Sequence, residues 1–182
     1  GIASAETMDC AGNGKIDHYK ITFTSAITDS SFPGYALNGV GTATSDWLVA
    51  GYTGVALDHG TSVNTACSVT DTADDSIIYI KFNEGAGFDT GAKPDLTTTA
   101  TPIASGAVGN VPPIFTATVN EADTAKPIVT SVTPANGATS VLLTTNADVT
   151  FSEDMNTGTF NSTNFYLTGV ASVLGTVSTI SN

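Results

Sequence analysis

Short apolar stretches, separated by glycine, proline and polar residues, run along the whole chain. The clearest is 75–82, in which isoleucine, tyrosine and phenylalanine fill five of the last six positions. Such stretches recur roughly every 8–20 residues with no helical period, and this spacing predicts an all-β fold built from β-sandwiches. The other predicted strands are 21–27, 47–50, 55–57, 96–100, 115–119 and 128–132.

Composition supports this prediction and excludes two classes of partner. The 18 glycines and 7 prolines indicate many turns. β-Branched residues are frequent and the common helix-forming residues are scarce. Seventeen acidic residues face five lysines and no arginine, giving a formal net charge of −12. Nucleic acid and anionic membranes bind through basic clusters, so we expect neither as a partner. No apolar run reaches the roughly 18 residues of a spanning helix, so we expect no membrane insertion.

Two cysteines, Cys10 and Cys67, predict one disulfide. Closing this loop of about 57 residues would contribute roughly 3–4 kcal/mol in the chain-entropy picture. The alternative is two buried free thiols. A metal site built from the two cysteines alone is disfavoured, because zinc usually takes four ligands.

Two segments resemble each other at an offset of 128 residues, from Phe23 to Phe151. Each has a strand ending in Thr-Phe-Thr or Thr-Phe-Ser, then a further phenylalanine, then a short strand ending in Gly-Val. A spacing of this size indicates a domain array, although coincidence among β-rich sequences is the alternative. We therefore predict an Ig-like module at 1–123, with insertions, and a second, incomplete module at 124–182.

Two groups of acidic residues, one at the predicted module boundary and one in a predicted turn, each have two possible roles. Glu121 and Asp123 could clamp calcium between the modules or belong to a flexible acidic linker. Asp71, Asp74 and Asp75 could bind an ion between strands or lie in a solvated hairpin turn.

The segment from about 126 to 170 resembles a bacterial Ig-like domain of the surface-layer type. The residues that carry the resemblance are Val132-Thr133-Pro134-Ala135-Asn136-Gly137, Val149-Thr150-Phe151-Ser152-Glu153-Asp154-Met155 and Phe165-Tyr166-Leu167. The resemblance implies an extracellular spacer or display module on the bacterial cell surface, in surface-layer proteins or adhesins, without catalysis.

The later strands of such a domain are not found before Asn182. Two explanations remain open at this point. The chain is a shortened piece, or another chain supplies strands by β-augmentation and builds a filament or lattice.

The N-terminal module resembles a related Ig-like repeat with a degenerate calcium loop of the EF-hand or dockerin kind. Asp9, Asn13, Lys15 and Asp17 match loop positions 1, 5, 7 and 9, with glycine at position 6. Position 3 is alanine and position 12 is lysine, so a remote acid would have to complete a calcium site. The alternative is an Asn-Gly turn with solvated carboxylates. The candidate remote acids are Asp71, Asp74, Asp75 and Asp89.

No catalytic motif is found, and we predict that the chain is not an enzyme. Asp58-His59-Gly60-Thr61-Ser62 contains three triad residue types, but adjacency in sequence is not relay geometry, and a turn is expected there. The calcium-like loop is followed by a predicted strand from Asp17 to Phe23, and His18 is expected on its surface if Tyr19 and Ile21 face inward. The scattered aromatic residues either line a sugar-binding face or, as we favour, pack in the core; they are Trp47, Tyr35, Tyr52 and Phe88.

Together these features predict an extracellular structural or spacer module, stabilised by calcium and able to self-assemble. Its partners would be neighbouring domains or copies of itself. The alternative is an adhesin segment that binds carbohydrate or a host protein.

Overall fold

The computed structural model describes residues 1–32, 34–41, 47–98, 103–104, 110–111, 120–142, 144–161 and 163–164, with backbone only at 103–104 and 110–111. The described chain is mostly β-strand with one short helix, which confirms the all-β prediction. The strands are β1 (Ile2–Met8), β2 (His18–Phe23), β3 (Trp47–Val49), β4 (Ala56–Asp58), β5 (Ile77–Lys81), β6 (Leu96–Thr98), β7 (Ile103–Ala104), β8 (Asn110–Val111), β9 (Glu121–Ala122), β10 (Val129–Thr133) and β11 (Asp148–Phe151). The helix is α1 (Thr61–Cys67), and two 3-10 turns lie at Asp29–Ser31 and Thr157–Thr159. The strand predicted at 115–119 lies outside the described residues, as does the short strand of the second repeat copy that ends in Gly169-Val170.

A five-stranded sheet, in the order β4-β5-β2-β1-β9, forms the centre of the N-terminal part. Alternation along β2 and β5 places Tyr19 opposite Ile80 and Ile21 opposite Ile78, and all four side chains are buried. Such cross-strand apolar pairs are the main source of sheet stability. The separate β3–β6 pair adds further side chains to the same core. Its contributions are Trp47, Val49 and Leu96.

Helix α1 was not predicted by the sequence pattern, which indicated only a turn there. It is seven residues long and rich in Thr, Ser, Asn and Cys, which are weak helix formers. Gly60 precedes it with a φ of 60°, and Ser68 ends it in the left-handed region. Val63 is fully buried and Cys67 is disulfide-bonded, so tertiary contacts hold the helix in place.

The hairpin β10–β11 repeats the pairing of β1 with β2. In the first hairpin Ile2 lies opposite Phe23, and the strand register shifts between Ile2 and Ser4. In the second, Val129 lies opposite Phe151, and the register shifts between Val129 and Ser131. A shift of register at corresponding places, about 128 residues apart, supports an internal repeat.

The segments that follow the two hairpins also correspond. The rings of Phe23 and Phe32 lie 6.3 Å apart, and those of Phe151 and Phe160 lie 5.8 Å apart, with similar interplanar angles of 55° and 61°. A 3-10 turn directly precedes the second phenylalanine in both cases. The first strand of the repeat and its phenylalanine pair are therefore present in both copies. The short strand predicted to end in Gly39-Val40 is not found in the described stretch 34–41, since Val40 makes only an isolated bridge to Asp58. The division into modules at 1–123 and 124–182 stays a prediction.

The two hairpins differ in how well one face is covered. On the face that carries Phe23, Ala5 and Ile21 are fully buried. Their counterparts Val132 and Val149, directly opposite each other in the β10–β11 hairpin, are 48% and 38% exposed.

Candidate functional site

The loop between β1 and β2 contains all four residues of the predicted calcium site. Asp9 begins it, and both oxygens of its carboxylate accept backbone hydrogen bonds. Oδ1 accepts from the N–H groups of Gly12 at 2.7 Å and Asn13 at 3.2 Å, and Oδ2 accepts from Gly14 at 2.7 Å. An aspartate that accepts from the following backbone in this way holds a tight turn.

Asp17 closes the same loop from its far end. Its backbone N–H donates to the carbonyl of Met8 at 3.0 Å. Its carboxylate accepts from the N–H groups of Cys10 at 2.9 Å and Ala11 at 3.2 Å, and lies 2.8 Å from Nδ1 of His18. Both aspartates therefore bind groups of the protein itself.

The other two predicted ligands turn toward the loop that follows β5. The side-chain amide of Asn13 donates to Glu84 at 2.7 Å, and its oxygen accepts from the N–H of Lys15. The ammonium of Lys15 donates to the carbonyl of Gly85 at 3.1 Å and lies 4.0 Å from Glu84.

Of the four candidate remote acids, Asp89 is the one whose carboxylate accepts a hydrogen bond from this loop in the described part of the chain. Its carboxylate accepts from the N–H of Ile16 at 2.8 Å and from the hydroxyl of Tyr52 at 2.6 Å, and its own N–H donates to the carbonyl of Gly14. Gly14 has a φ of +86°, and a Cβ there would lie 2.8 Å from the ring of Phe88, so only glycine fits. Hydrogen bonds of the protein thus account for the loop's shape, and calcium binding stays a prediction.

The predicted disulfide between Cys10 and Cys67 is confirmed, and it ties the loop to the end of α1. His18 lies beneath it, and the ring is held between two carboxylates. Nδ1 is 2.8 Å from Asp17, and Nε2 is 3.0 Å from Asp58. Within the described part of the chain, Cys10, His18 and Cys67 are the one group of three His, Cys, Asp or Glu residues whose ligand atoms all lie within 4.8 Å.

The expectation that His18 lies on the surface is wrong, because only 2% of it is exposed. Burial by itself lowers the pKa of His18, but the hydrogen bonds and charges of Asp17 and Asp58 outweigh this and raise the pKa above its ordinary value. Burial by itself raises the pKa of Asp58, and the hydrogen bond and charge of His18 contribute to a net lowering. The pair therefore favours the imidazolium–carboxylate form.

A second buried histidine, His59, also lies between two carboxylates. Its Nδ1 is 2.5 Å from Asp71 and 3.6 Å from Asp29. Asp71 also accepts from the N–H of Gly60, and Asp29 and Asp74 exchange hydrogen bonds from backbone to side chain. The side chain of Asp71 is 1% exposed, so the solvated-turn reading is wrong for this residue.

Three buried carboxylate oxygens of this region have no hydrogen-bond partner among the described residues: Oδ1 of Asp29, Asp58 and Asp71. Burial raises the pKa of Asp29 and of Asp71 above the ordinary range of a carboxyl. Asp58 contacts the ring of His18, and Asp71 contacts the ring of His59. The adjacent residues Asp58 and His59 therefore do not pair with each other as a catalytic relay requires.

The aromatic residues considered for sugar binding are divided between core and surface. Trp47 is 2% exposed, and Tyr35 and Tyr52 pack partly buried against the core. Phe88 is 55% exposed. The core-packing reading therefore holds for three of the four residues.

The boundary segment is docked on the N-terminal sheet. β9 pairs in parallel with β1, with Ala5 opposite Glu121. The side chain of Glu121 accepts from the N–H of Leu96 at 2.9 Å, and the hydroxyl of Thr124 donates to the carbonyl of Thr7 at 2.7 Å. The flexible-linker reading is thus wrong for Glu121.

The β10–β11 hairpin meets the N-terminal part at a buried contact between two hydroxyls. Thr90 and Ser152 lie 2.6 Å apart, and the hydroxyl of Ser152 also accepts from the N–H of Ile128 at 2.9 Å. A Cβ on Gly91 would lie 3.1 Å from Glu153, so this position also fits closely.

An acidic cavity of about 460 Å³ opens beside this contact. Burial, and then the charge of Asp123 and a hydrogen bond with it, raise the pKa of Glu153 above its ordinary value. The residues that line the cavity are Asp89, Gly91, Ala92, Lys93, Asp123, Ser152, Glu153 and Asp154.

No helix within the described ranges combines the length and apolar character needed to cross a membrane. No curated protein and no solved structure matches the chain. One family does match part of it, and domains of this family are non-catalytic and occur in bacterial surface proteins. Residues 123–182, which include β10, β11 and the second phenylalanine pair, match the family described as Bacterial Ig-like domain.

Proposed function

We propose that this chain is a rigid structural spacer of a bacterial surface protein, in which successive Ig-like modules keep a fixed relation to each other. The observation that carries the proposal is the docked junction, where the Thr90–Ser152 contact lies next to the strand pairing of β9 with β1. A spacer must hold its modules at a fixed distance and orientation, and a junction held by buried contacts does this better than a flexible linker.

Three separate contacts hold the junction. β9 extends the five-stranded sheet, Ala125 is buried at 8% exposure in its core, and the hydroxyl of Ser152 links the hairpin to Thr90. Linkers between domains are ordinarily polar and mobile. The strand pairing of β9 and the burial of Ala125 therefore support a fixed connection.

The surface location rests on the family match at 123–182. The acidic surface and the disulfide agree with an oxidising, extracytoplasmic setting, because structural disulfides persist there. The finer parts of this proposal are that the parent protein forms a surface layer and that calcium stabilises the module. The adhesin alternative has no comparable support, since Trp47 is buried and Phe88 is the one aromatic ring that is more than half exposed among the described residues.

Hydrogen–deuterium exchange tests the rigidity of the junction. Within residues 121–128, the hydrogen-bonded amides of Thr124 and Ile128 should exchange about as slowly as those of β1. Thr7→Val should speed exchange at 121–125, because Thr7 bonds both Ala122 and Thr124. Strand β5 should be unaffected in the same variant. Free exchange at 121–128 in the unaltered protein, as fast as in the exposed loop at 83–87, would overturn the rigid spacer.

Protease treatment of intact source cells tests the location. The protein should be degraded while cytoplasmic proteins stay whole. Full protection on intact cells, lost on lysis, would contradict a surface role without bearing on the junction.

A further inference from the structure

Three metal-ligating side chains from different parts of the fold meet beneath the first hairpin. Cys10 lies in the loop after β1, Cys67 ends α1, and His18 begins β2. One ligand atom from each lies within 4.8 Å of the other two. His18 is buried and the two cysteines are half-buried, so the group is partly shielded from solvent.

Two thiolates and an imidazole form a donor set that suits a soft or borderline divalent cation. Zinc binds Cys sulfur at about 2.3 Å and His nitrogen at about 2.0–2.1 Å, in a tetrahedron of four ligands. The disulfide occupies both sulfurs in the oxidised chain. The metal and the disulfide are therefore alternative ways of joining the loop to α1.

The carboxylates on His18 supply what a Cys₂His group lacks. Asp17 and Asp58 lie on the two ring nitrogens, at 2.8 and 3.0 Å. Neither carboxylate belongs to the Cys₂His group as it stands. A cation on either nitrogen would displace one carboxylate, which would have to move to become the fourth ligand. The other carboxylate keeps its hydrogen bond to the ring, as is usual for histidines that bind metal.

The disulfide can be reached from solvent. Cys67 lines a cavity of about 410 Å³ between the first loop and the boundary segment. Asp9 and Glu6 line the same cavity together with Lys20 and Lys126, so its wall carries charges of both signs.

We propose that reduction of the Cys10–Cys67 disulfide converts this group into a zinc site formed by Cys10, Cys67, His18 and one of its two carboxylates. With a phosphine as the reductant, the reduction balances. The disulfide, the phosphine and one water give two thiols and the phosphine oxide. Binding of Zn²⁺ then releases the two thiol protons. The loop and α1 stay joined in both redox states.

Cobalt(II) titration of the reduced chain is the direct test, because thiolate–cobalt charge transfer and tetrahedral d–d bands report the ligands. One Co²⁺ should bind per chain, and Zn²⁺ should bleach the bands. The oxidised chain should give none. At a hundredfold excess over the dissociation constant, Zn²⁺ should raise the melting temperature of the reduced chain by roughly 5–10 °C.

His59→Gln is the matched control for His18→Gln, because both histidines are buried between two carboxylates and only His18 lies beside sulfur. His18→Gln should weaken cobalt binding by at least the roughly 10–100-fold that loss of a second-shell partner costs, while His59→Gln leaves it unchanged. If His18→Gln does not fold, Cys67→Ser should halve the charge-transfer intensity. Absence of the bands in the reduced chain, or equal losses in both histidine variants, would refute the site.

Discussion

The hydroxyls of Thr90 and Ser152 lie 2.6 Å apart in a buried contact that joins residues 62 positions apart in the chain. Ser152 also accepts the N–H of Ile128, so one hydroxyl serves both the N-terminal part and its own hairpin. One small side chain therefore makes two of the hydrogen bonds that hold the junction.

Ser152→Ala should lower the free energy of unfolding by about 1–3 kcal/mol, because it leaves the Thr90 hydroxyl and the Ile128 N–H without their partner. Adding Thr90→Val should cost less than the sum of the two single changes, as expected for groups in direct contact. Urea denaturation measures both. Thr130→Val, which removes an exposed hydroxyl contact on the same hairpin, is the control and should have little effect. Additive losses would contradict the coupling.

Glu153 should make the protein more stable on mild acidification. Its pKa is raised in the folded state, so the folded protein binds this proton more tightly than the unfolded chain. Stability from this group is thus gained as pH falls through the folded pKa and is lost above it. Glu153→Gln should remove that gain and be at least as stable as the unaltered protein at pH 7.

Melting temperatures between pH 7 and pH 4 measure the Glu153 effect as a difference from the unaltered protein. Asp148→Asn, an exposed carboxylate on β11, should leave the profile parallel to that of the unaltered protein. A Glu153→Gln profile parallel to it as well would show that Glu153 does not titrate abnormally.

Calcium at the first loop is decided by chelation. If an ion completes the loop, EDTA should lower the melting temperature by several degrees, and Asp17→Ala should erase the response. Asp9→Ala should destabilise the loop with or without calcium, because three backbone N–H groups lose their acceptor. A melt that EDTA does not change refutes calcium and leaves the two aspartates as structural caps.

The exposed apolar pair on the second hairpin should cause self-association. Val132 and Val149 lie opposite each other where the first hairpin has Ala5 and Ile21, which are fully buried. Val132→Lys should therefore shift the protein toward monomer at a given concentration in sedimentation velocity. Thr150→Lys, at the neighbouring position in β11, whose side chain points to the other face, should not. A monomer at every concentration before any change would count against assembly through this face.

The sequence pattern was sufficient for several of the strands and for the disulfide, but it missed β1 and β9 and did not show what covers the strands. Alternation along β2 correctly placed Tyr19 and Ile21 on the core face and His18 on the other. His18 is nevertheless buried, because the disulfide and Asp58 cover that second face. Alternation predicts on which face of the strand a residue lies. It does not predict that a helix about 45 residues later in the chain covers that face.

The same limit applies to the candidate sites. Asp71 sits in an acidic, turn-like stretch, and only its partner His59, twelve positions earlier, explains its burial. The Thr90–Ser152 contact joins two common hydroxyl residues with no local signature. The 128-residue repeat, in contrast, was visible in the sequence because both copies keep the phenylalanines that end their strands.

The parallel pairing of β9 with β1 has a mechanical consequence. Tension applied between Gly1 and the second hairpin pulls these neighbouring strands in opposite directions along their length. The hydrogen bonds between them, together with those of Thr124 to Thr7, are then loaded in shear and must fail together. A protein drawn out on a cell surface would resist such a pull better than one whose terminal strands peel apart bond by bond.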